Sequence, residues 1–486
     1  MDQNNLIPES VFKIFAEINK IPRPSGKEEK MTEYLMQFGQ KLGLPTHRDQ
    51  VGNVVISKPA SKGMEQAPGV ILQSHMDMVC EKNADLLFNF DTDAIQTHIE
   101  GDWLMANGTT LGADDGIGCA MQLAVLTDDT LQHGPLQCVF TVDEERGLTG
   151  AEALSSDFME GDYLINLDSE DEGQIFVSCA GGATTLATFP YTAQPLEASS
   201  YAFKLSVSGL TGGHSGDDII KKRANANKIL VRILCKIQEH TPVRLIDIQS
   251  GGLHNAIPRE GYVVAAINNS ERDYLAATVN QFAAALEKEY ETTESEVKVQ
   301  LETIDCPSEA QAQEETFKLL HSLNAVYNGV FAMSQTIDNF VETSTNLASI
   351  RKKDHGIDVV TSQRSSLMSQ RKNISSVVRS AFILGGATKV ETGDGYPGWE
   401  TNPNSKLVKL AVETYRKLFN REPIVLGIHA GLECGLFSVK YPHLDMISVG
   451  PTLRGVHSPD EKLLIPTVDE VWRHLALLLK ELGQLK

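Results

Sequence analysis

Histidines and carboxylates recur in this chain where apolar runs give way to polar residues. The stretch LQCVFTVDEERGLTG, residues 136–150, begins as a β-prone apolar run and ends on Asp143, Glu144 and Glu145, with Gly147 close behind. Adjacent like charges repel, and burial raises the cost. Three acids closing a core strand therefore imply either a solvated strand end or a positive charge beside it. Four further stretches carry the same pattern. VILQSHMDM ends in His75 and Asp77, and LGADDGIG sets Asp114 and Asp115 in a glycine-flanked turn ahead of a helix. YLINLDSEDE delivers Asp168, and ISVGPTLRGVHSPDE delivers His457. Taken singly, each has a plainer reading as a hydrogen-bonded strand-end histidine, a turn with a helix N-cap, or a loop histidine. Together, two histidines and three or more carboxylates suit two zinc-class divalent ions, which accept imidazole and carboxylate ligands. Paired ions also need a bridging carboxylate and a bridging water.

Such a set needs a scaffold that brings distant segments to one place. PESVFKIFAEINKI and GKEEKMTEYLMQFGQKLG have helical spacing. Strands are expected at QVGNVVIS, GVILQS, LQCVFTV, DYLINL and QIFVSC, with a helix at GIGCAMQLAVLTD. Strands alternating with helices predict an α/β layer fold with a largely parallel sheet, whose sites lie beyond the carboxyl ends of strands. A polar connection, TAQPLEASS, follows Tyr191. Beyond it the order strand, helix, strands, helix occupies about 200–290, and strand, helix, strand, helix follows over about 295–388, an internal repeat of α+β units. After GATKVETGDGYPGW the chain resumes with a helix at 405–419, strands around PIVLGIH and LDMISVG, and a last helix VDEVWRHLALLLKELG. This final part is too small to stand alone. It is expected to complete the first sheet, so that 1–186 and 390–486 form one domain and 187–389 an insertion.

The 486 residues exceed one ordinary core, and their balance of 41% hydrophobic to 22% charged is that of a globular protein. Sixty-four acids against 43 bases give a net charge of −21, which argues against nucleic acid or an anionic membrane as the main partner. MDQNNLIPES has no apolar segment of a secretory signal, and no apolar run approaches the roughly 18 residues of a membrane span. The seven cysteines are scattered, odd in number and without CxxC spacing, as expected for reduced thiols in a cytosol.

HMD, GADDG, DEE, NLD and the late GVHSPDE stand in the order seen in the aminoacylase/carboxypeptidase-type family of di-zinc metallopeptidases, which this chain resembles over essentially its whole length. GLTGGHSG and GGLHNAIPREG extend the likeness into the insertion, and the doubled insertion with IHAGLECG resembles the dipeptidases of that family. The resemblance implies an α/β zinc-peptidase catalytic domain, its mostly parallel central sheet flanked by helices, interrupted by an α+β lid domain of two repeats. It implies that His75 and Asp168 bind one ion, Glu145 and His457 the other, and that Asp114 bridges them. Asp77 would hold the His75 ring and raise its basicity. Glu144 would be the general base that takes a proton from the bridging water. By the same likeness His214 would stabilise the developing oxyanion, Asn255 bind the substrate backbone, Arg364 take the terminal carboxylate and Glu433 meet the peptide amine. The implied cofactor is two divalent ions, Zn2+ first, with Co2+ or Mn2+ as alternatives. The implied activity is hydrolysis of unblocked dipeptides, Xaa-His types among them, in the cytoplasm. Tripeptide cleavage and deacylation of N-acyl amino acids stay open, as does a non-catalytic binding role on the same fold. The second lid repeat lacks a counterpart of GGHSG, which leaves two arrangements: a homodimer through the lids, or two repeats packed together within one chain.

Overall fold

The structure, a computed structural model, describes residues 6–485. The chain divides into two compact units. One comprises the chain up to Ser178, Trp399–Gly427 and the chain from Leu432 onward; the other comprises Cys179–Gly398 and Ile428–Gly431.

The first unit is built on an eight-stranded sheet. Its middle four strands, in spatial order Leu136–Thr141, Val70–His75, Tyr163–Asn166 and Asp445–Ser448, run parallel. Thr46–Arg48 and Val54–Lys58 join one side antiparallel, and Gln174–Cys179 pairs antiparallel on the other. Parallel pairing is thus confined to the centre, where the strands are largely buried. Every residue of Val70–His75 and Tyr163–Asn166 is buried. Helix Ala113–Thr127 is apolar nearly all round and packs against both helix Glu9–Ile18 and strand Val70–His75. The late strand Asp445–Ser448 enters this sheet beside Tyr163–Asn166, so the C-terminal segment completes the first sheet.

The second unit carries a nine-stranded antiparallel sheet with helices Ala226–Gln238, Arg272–Glu289, Gln313–Ala325 and Met368–Leu384. The two repeats meet within it: Arg244–Gly251 of the first pairs with Val341–Lys353 of the second, Ser250 opposite Ile350. The unit extends to either side of 187–389. Gly181–Phe189 pairs with both Gly356–Ser365 and Lys389–Thr392, so strands flanking the expected joints already belong to this sheet. No helix among the described residues is long and apolar enough to cross a membrane.

Candidate metal centre

Three parallel-strand ends, one helix-opening turn and one late loop carry the candidate residues in the first unit. His75 is the last residue of its strand, level with Thr141 on the neighbouring strand. Glu144 and Glu145 follow Thr141, Asp168 follows Tyr163–Asn166, and Asp114 lies in the turn that opens helix Ala113–Thr127. His457 sits between the short strands Leu453–Arg454 and Lys462–Leu464.

Asp114 stands between the histidines. Its Oδ1 lies 3.1 Å from His75 Nε2 and its Oδ2 3.1 Å from His457 Nε2. Asp168 Oδ1 approaches His75 Nε2 at 3.4 Å, and Glu145 Oε2 approaches His457 Nε2 at 2.9 Å. One ring nitrogen of each histidine therefore faces two carboxylates, one of which is shared. Ligand atoms of His75, Asp114 and Glu145 all lie within 4.8 Å of one another.

Adjacent residues on an extended strand point to opposite faces, yet Glu144 and Glu145 both belong to this group. Asp143 supplies the turn with a left-handed φ of 53°, and its carboxylate accepts from Arg146 Nε and Thr149 Oγ1. Asp77 fixes the next two residues: its carboxylate accepts the peptide N–H of Glu144 at 3.1 Å and of Glu145 at 3.3 Å. Asp77 Oδ1 is also 3.3 Å from His75 Nδ1, an electrostatic contact rather than a well-aligned hydrogen bond.

The electrostatics follow from burial and crowding. Burial pushes the Glu144 carboxyl well above the usual range, and Asp168 and Glu145 push it further against the opposing charge of His75. Asp168 is raised to about 7 by burial, with His75 working against the rise. Contact with Asp114 and Glu145 raises His457 to about 11. Burial opposes the charge of Asp77, but His75 and the donated N–H outweigh it and hold this carboxyl below its ordinary value. Among the described ion pairs Asp114, Glu145 and Asp168 meet histidines only, with no lysine or arginine. Four carboxylates and two imidazoles gathered without a basic side chain suit divalent cations, whose charge such a set would neutralise.

A second group lies in the other unit. His214 Nε2 is 3.3 Å from Arg364 Nη2, and Arg364 Nη1 donates to Tyr396 Oη at 3.0 Å. The backbone carbonyl of Asn255 accepts from Ser215 N at 2.8 Å, beside the pairing of Gly213–His214 with Ala256–Ile257. The structure thus brings His214, Asn255 and Arg364 into one neighbourhood. Arg364 is buried, has no carboxylate among its described ion pairs and keeps an unpartnered Nε, which leaves it able to receive an anion.

Glu433 is placed elsewhere. It is fully buried in the first unit, where its Oε2 accepts from Gln73 Nε2 at 2.5 Å and Thr141 Oγ1 at 2.8 Å. The polar chain continues through Gln73 and Asn166 to Ser448 and Ser169. Its Oε1 has no hydrogen-bond partner among the described residues, and burial raises the carboxyl to about 7, with His75 working against the rise. Two further residues, Arg23 and Glu461, contact the backbone of the ligand loops. Glu461 closes the GVHSPDE stretch, whereas nothing around Arg23 in IPRPSG signals such a contact.

Residues 71–481 match the model of peptidase family M20/M25/M40. The chain is 42% identical over 479 residues to the cytosol non-specific dipeptidase of Escherichia coli (strain K12), covering 99% of each. The crystal structure of aminoacylhistidine dipeptidase from Vibrio alginolyticus superposes with a TM-score of 0.92 at 39% identity, over 99% of this chain and 98% of that one. Aminopeptidase PepT from Bacillus cereus shares the fold, with a TM-score of 0.58 at 16% identity over 99% and 100% of the chains.

Proposed function

The chain belongs to peptidase family M20/M25/M40, and from that premise we propose that it is a metal-dependent dipeptidase whose chemistry runs at the group of His75, Asp114, Glu145, Asp168 and His457. The observation that supports the site most directly is Asp114, one oxygen of which faces each histidine at 3.1 Å. His75 and Asp168 would hold one divalent ion, Glu145 and His457 the other, and Asp114 both. The ions would supply Lewis acidity, polarising the scissile carbonyl and making water a competent nucleophile near neutral pH. Zn2+ is the first choice; Co2+ and Mn2+ suit the same donors.

The chain's own groups do the rest. Glu144 takes a proton from the attacking water at its carboxylate and returns it to the leaving amine; burial that raises its basicity serves that task. Asp77 orients His75 and, through two peptide N–H groups, fixes the backbone that carries Glu144 and Glu145. In the second unit Arg364 would bind the dipeptide's carboxylate, Asn255 its backbone, and His214 the developing oxyanion. Unblocked dipeptides, Xaa-His types among them, are the proposed substrates and the cytoplasm the proposed compartment, in line with the naming of the Escherichia coli and Vibrio alginolyticus relatives.

Hydrolysis of a panel of dipeptides, tripeptides and N-acetyl amino acids, after chelation and after metal is restored, tests this reading. Dipeptides should be cleaved fastest and only with metal. Faster cleavage of tripeptides or acetyl amino acids would refute the substrate class, and full activity without metal would refute the chemistry.

A further inference from the structure

Asp114 reaches both histidines from a turn whose backbone is held from two sides by opposite charges. Glu461 is 2% exposed, and its carboxylate accepts four successive peptide N–H groups: Leu111 at 2.7 Å and Gly112 at 2.9 Å on Oε2, Ala113 at 2.8 Å and Asp114 at 3.2 Å on Oε1. Arg23 is 1% exposed, and its guanidinium donates to three carbonyls: Gly112 at 2.6 Å, Asp77 at 2.9 Å and Met76 at 3.3 Å. Gly112 is where the two meet, its N–H on Glu461 and its carbonyl on Arg23. Its φ is +66°, and a Cβ there would stand 2.5 Å from Arg23 Nη2, so only glycine fits.

A buried charge is costly unless paired or fully hydrogen-bonded. No carboxylate appears among the described ion pairs of Arg23, whose charge is met by carbonyl oxygens alone, and Glu461 is met by peptide N–H groups alone. Each charge is thus spent on backbone position. We infer that Arg23 and Glu461 are positioning residues that clamp the Leu111–Asp114 turn to the His75–Asp77 segment and so set the separation of His75, Asp114 and His457 for metal binding. The fork of Arg23 spans the carbonyls of Asp77 and Gly112, and so ties the segment bearing His75 to the turn bearing Asp114. Glu461, four residues after His457, ties the His457 loop to the same turn. The inference rests on the reading of Asp114 as a ligand of both ions.

Two conservative variants probe it. In Glu461→Gln one oxygen becomes an NH2 that must face two peptide N–H groups. In Arg23→Lys the charge stays, but the planar fork that sets one nitrogen on the Asp77 carbonyl and another on the Gly112 carbonyl is lost. The full-length variants are stripped with chelator and titrated with Zn2+ alone by calorimetry, with circular dichroism to check folding and Asp168→Asn and His75→Ala alongside. Both clamp variants should fold and bind both ions about 10–100-fold more weakly, whereas Asp168→Asn weakens chiefly one. Turnover lost at limiting metal should return in excess metal, which a general loss of stability would not produce. Wild-type metal affinity in folded clamp variants, or failure of both to fold, would overturn the inference. If His75→Ala and Asp168→Asn also bind metal normally, it is the metal-centre reading that fails; if they lose metal while the clamp variants do not, only the clamp fails.

Discussion

Replacing Asp77 by asparagine removes one charge from a fully buried position and disturbs three contacts at once. The carboxylate serves the N–H groups of Glu144 and Glu145 at 3.1 and 3.3 Å and lies 3.3 Å from His75 Nδ1. An amide has one oxygen for these partners, and its NH2 must point at a group that itself donates. The loss is at least one hydrogen bond to a charged group, about 1.5–3 kcal/mol. The harm spreads because the contacts lead to different ligands: His75 loses its anchor on one side, and the Glu144–Glu145 backbone is freed on the other. Metal affinity should fall by about 10–100-fold, the usual effect of removing a partner that orients a ligand, and turnover at limiting metal should fall with it. Competition of the folded variant against a chromophoric chelator measures the affinity, and initial rates over a metal series measure the dependence. An Asp77→Asn enzyme with wild-type metal affinity and turnover would refute the role given to this carboxylate.

Glu144→Gln should keep its metal but lose roughly 10²–10⁴-fold in turnover, whereas Glu145→Gln should lose metal; metal analysis with rates checks this, and the reverse pattern would exchange the two roles. His214→Ala should lower turnover by about 10²–10³-fold with little change in KM and full metal content, and near-normal turnover would leave His214 an ordinary loop residue. His474 gives a pH effect on stability: burial holds it down to about 4, and its Nε2 donates to Ala411 O at 2.9 Å. An unfolded histidine titrates near 6.5, so between about pH 6.5 and 4 the unfolded chain binds the extra proton. Stability is therefore full above that window and falls as pH drops through it, by up to about 3 kcal/mol. Denaturant unfolding of a His474→Gln variant should show a flatter pH dependence, and an unchanged slope would assign the effect to other groups.

The candidate positions are legible in the sequence because buried parallel strands read as β-prone runs, and the polar residues that close them mark the carboxyl end of the sheet. His75 and Asp168 stand at such strand ends, and the family resemblance rather than the pattern alone singles them out as candidate ligands. The meeting of Glu144 and Glu145 is not legible, since it depends on the left-handed turn at Asp143 and on a carboxylate, Asp77, far away in sequence. The strand Val341–Lys353 is hidden because VETSTNLASIRKK is largely polar. A bulge between Leu347 and Ser349 interrupts its ladder, and the Leu347 carbonyl is met by the side chains of Asn225 and Asn227. Glu433 is drawn to the peptide amine by likeness alone, and its partners Gln73 and Thr141 look like ordinary strand residues until the register sets them beside it. Arg23 and Glu461 act on peptide groups, which every sequence has, so no residue pairing announces them.

The central claim is that one shared carboxylate and two histidines organise two metal positions in the first unit. Anomalous diffraction at the zinc edge from crystals of the zinc-loaded protein tests it most directly. Two peaks are expected, one among His75, Asp114 and Asp168 and one among Asp114, Glu145 and His457; a single peak, or peaks away from Asp114, would contradict it.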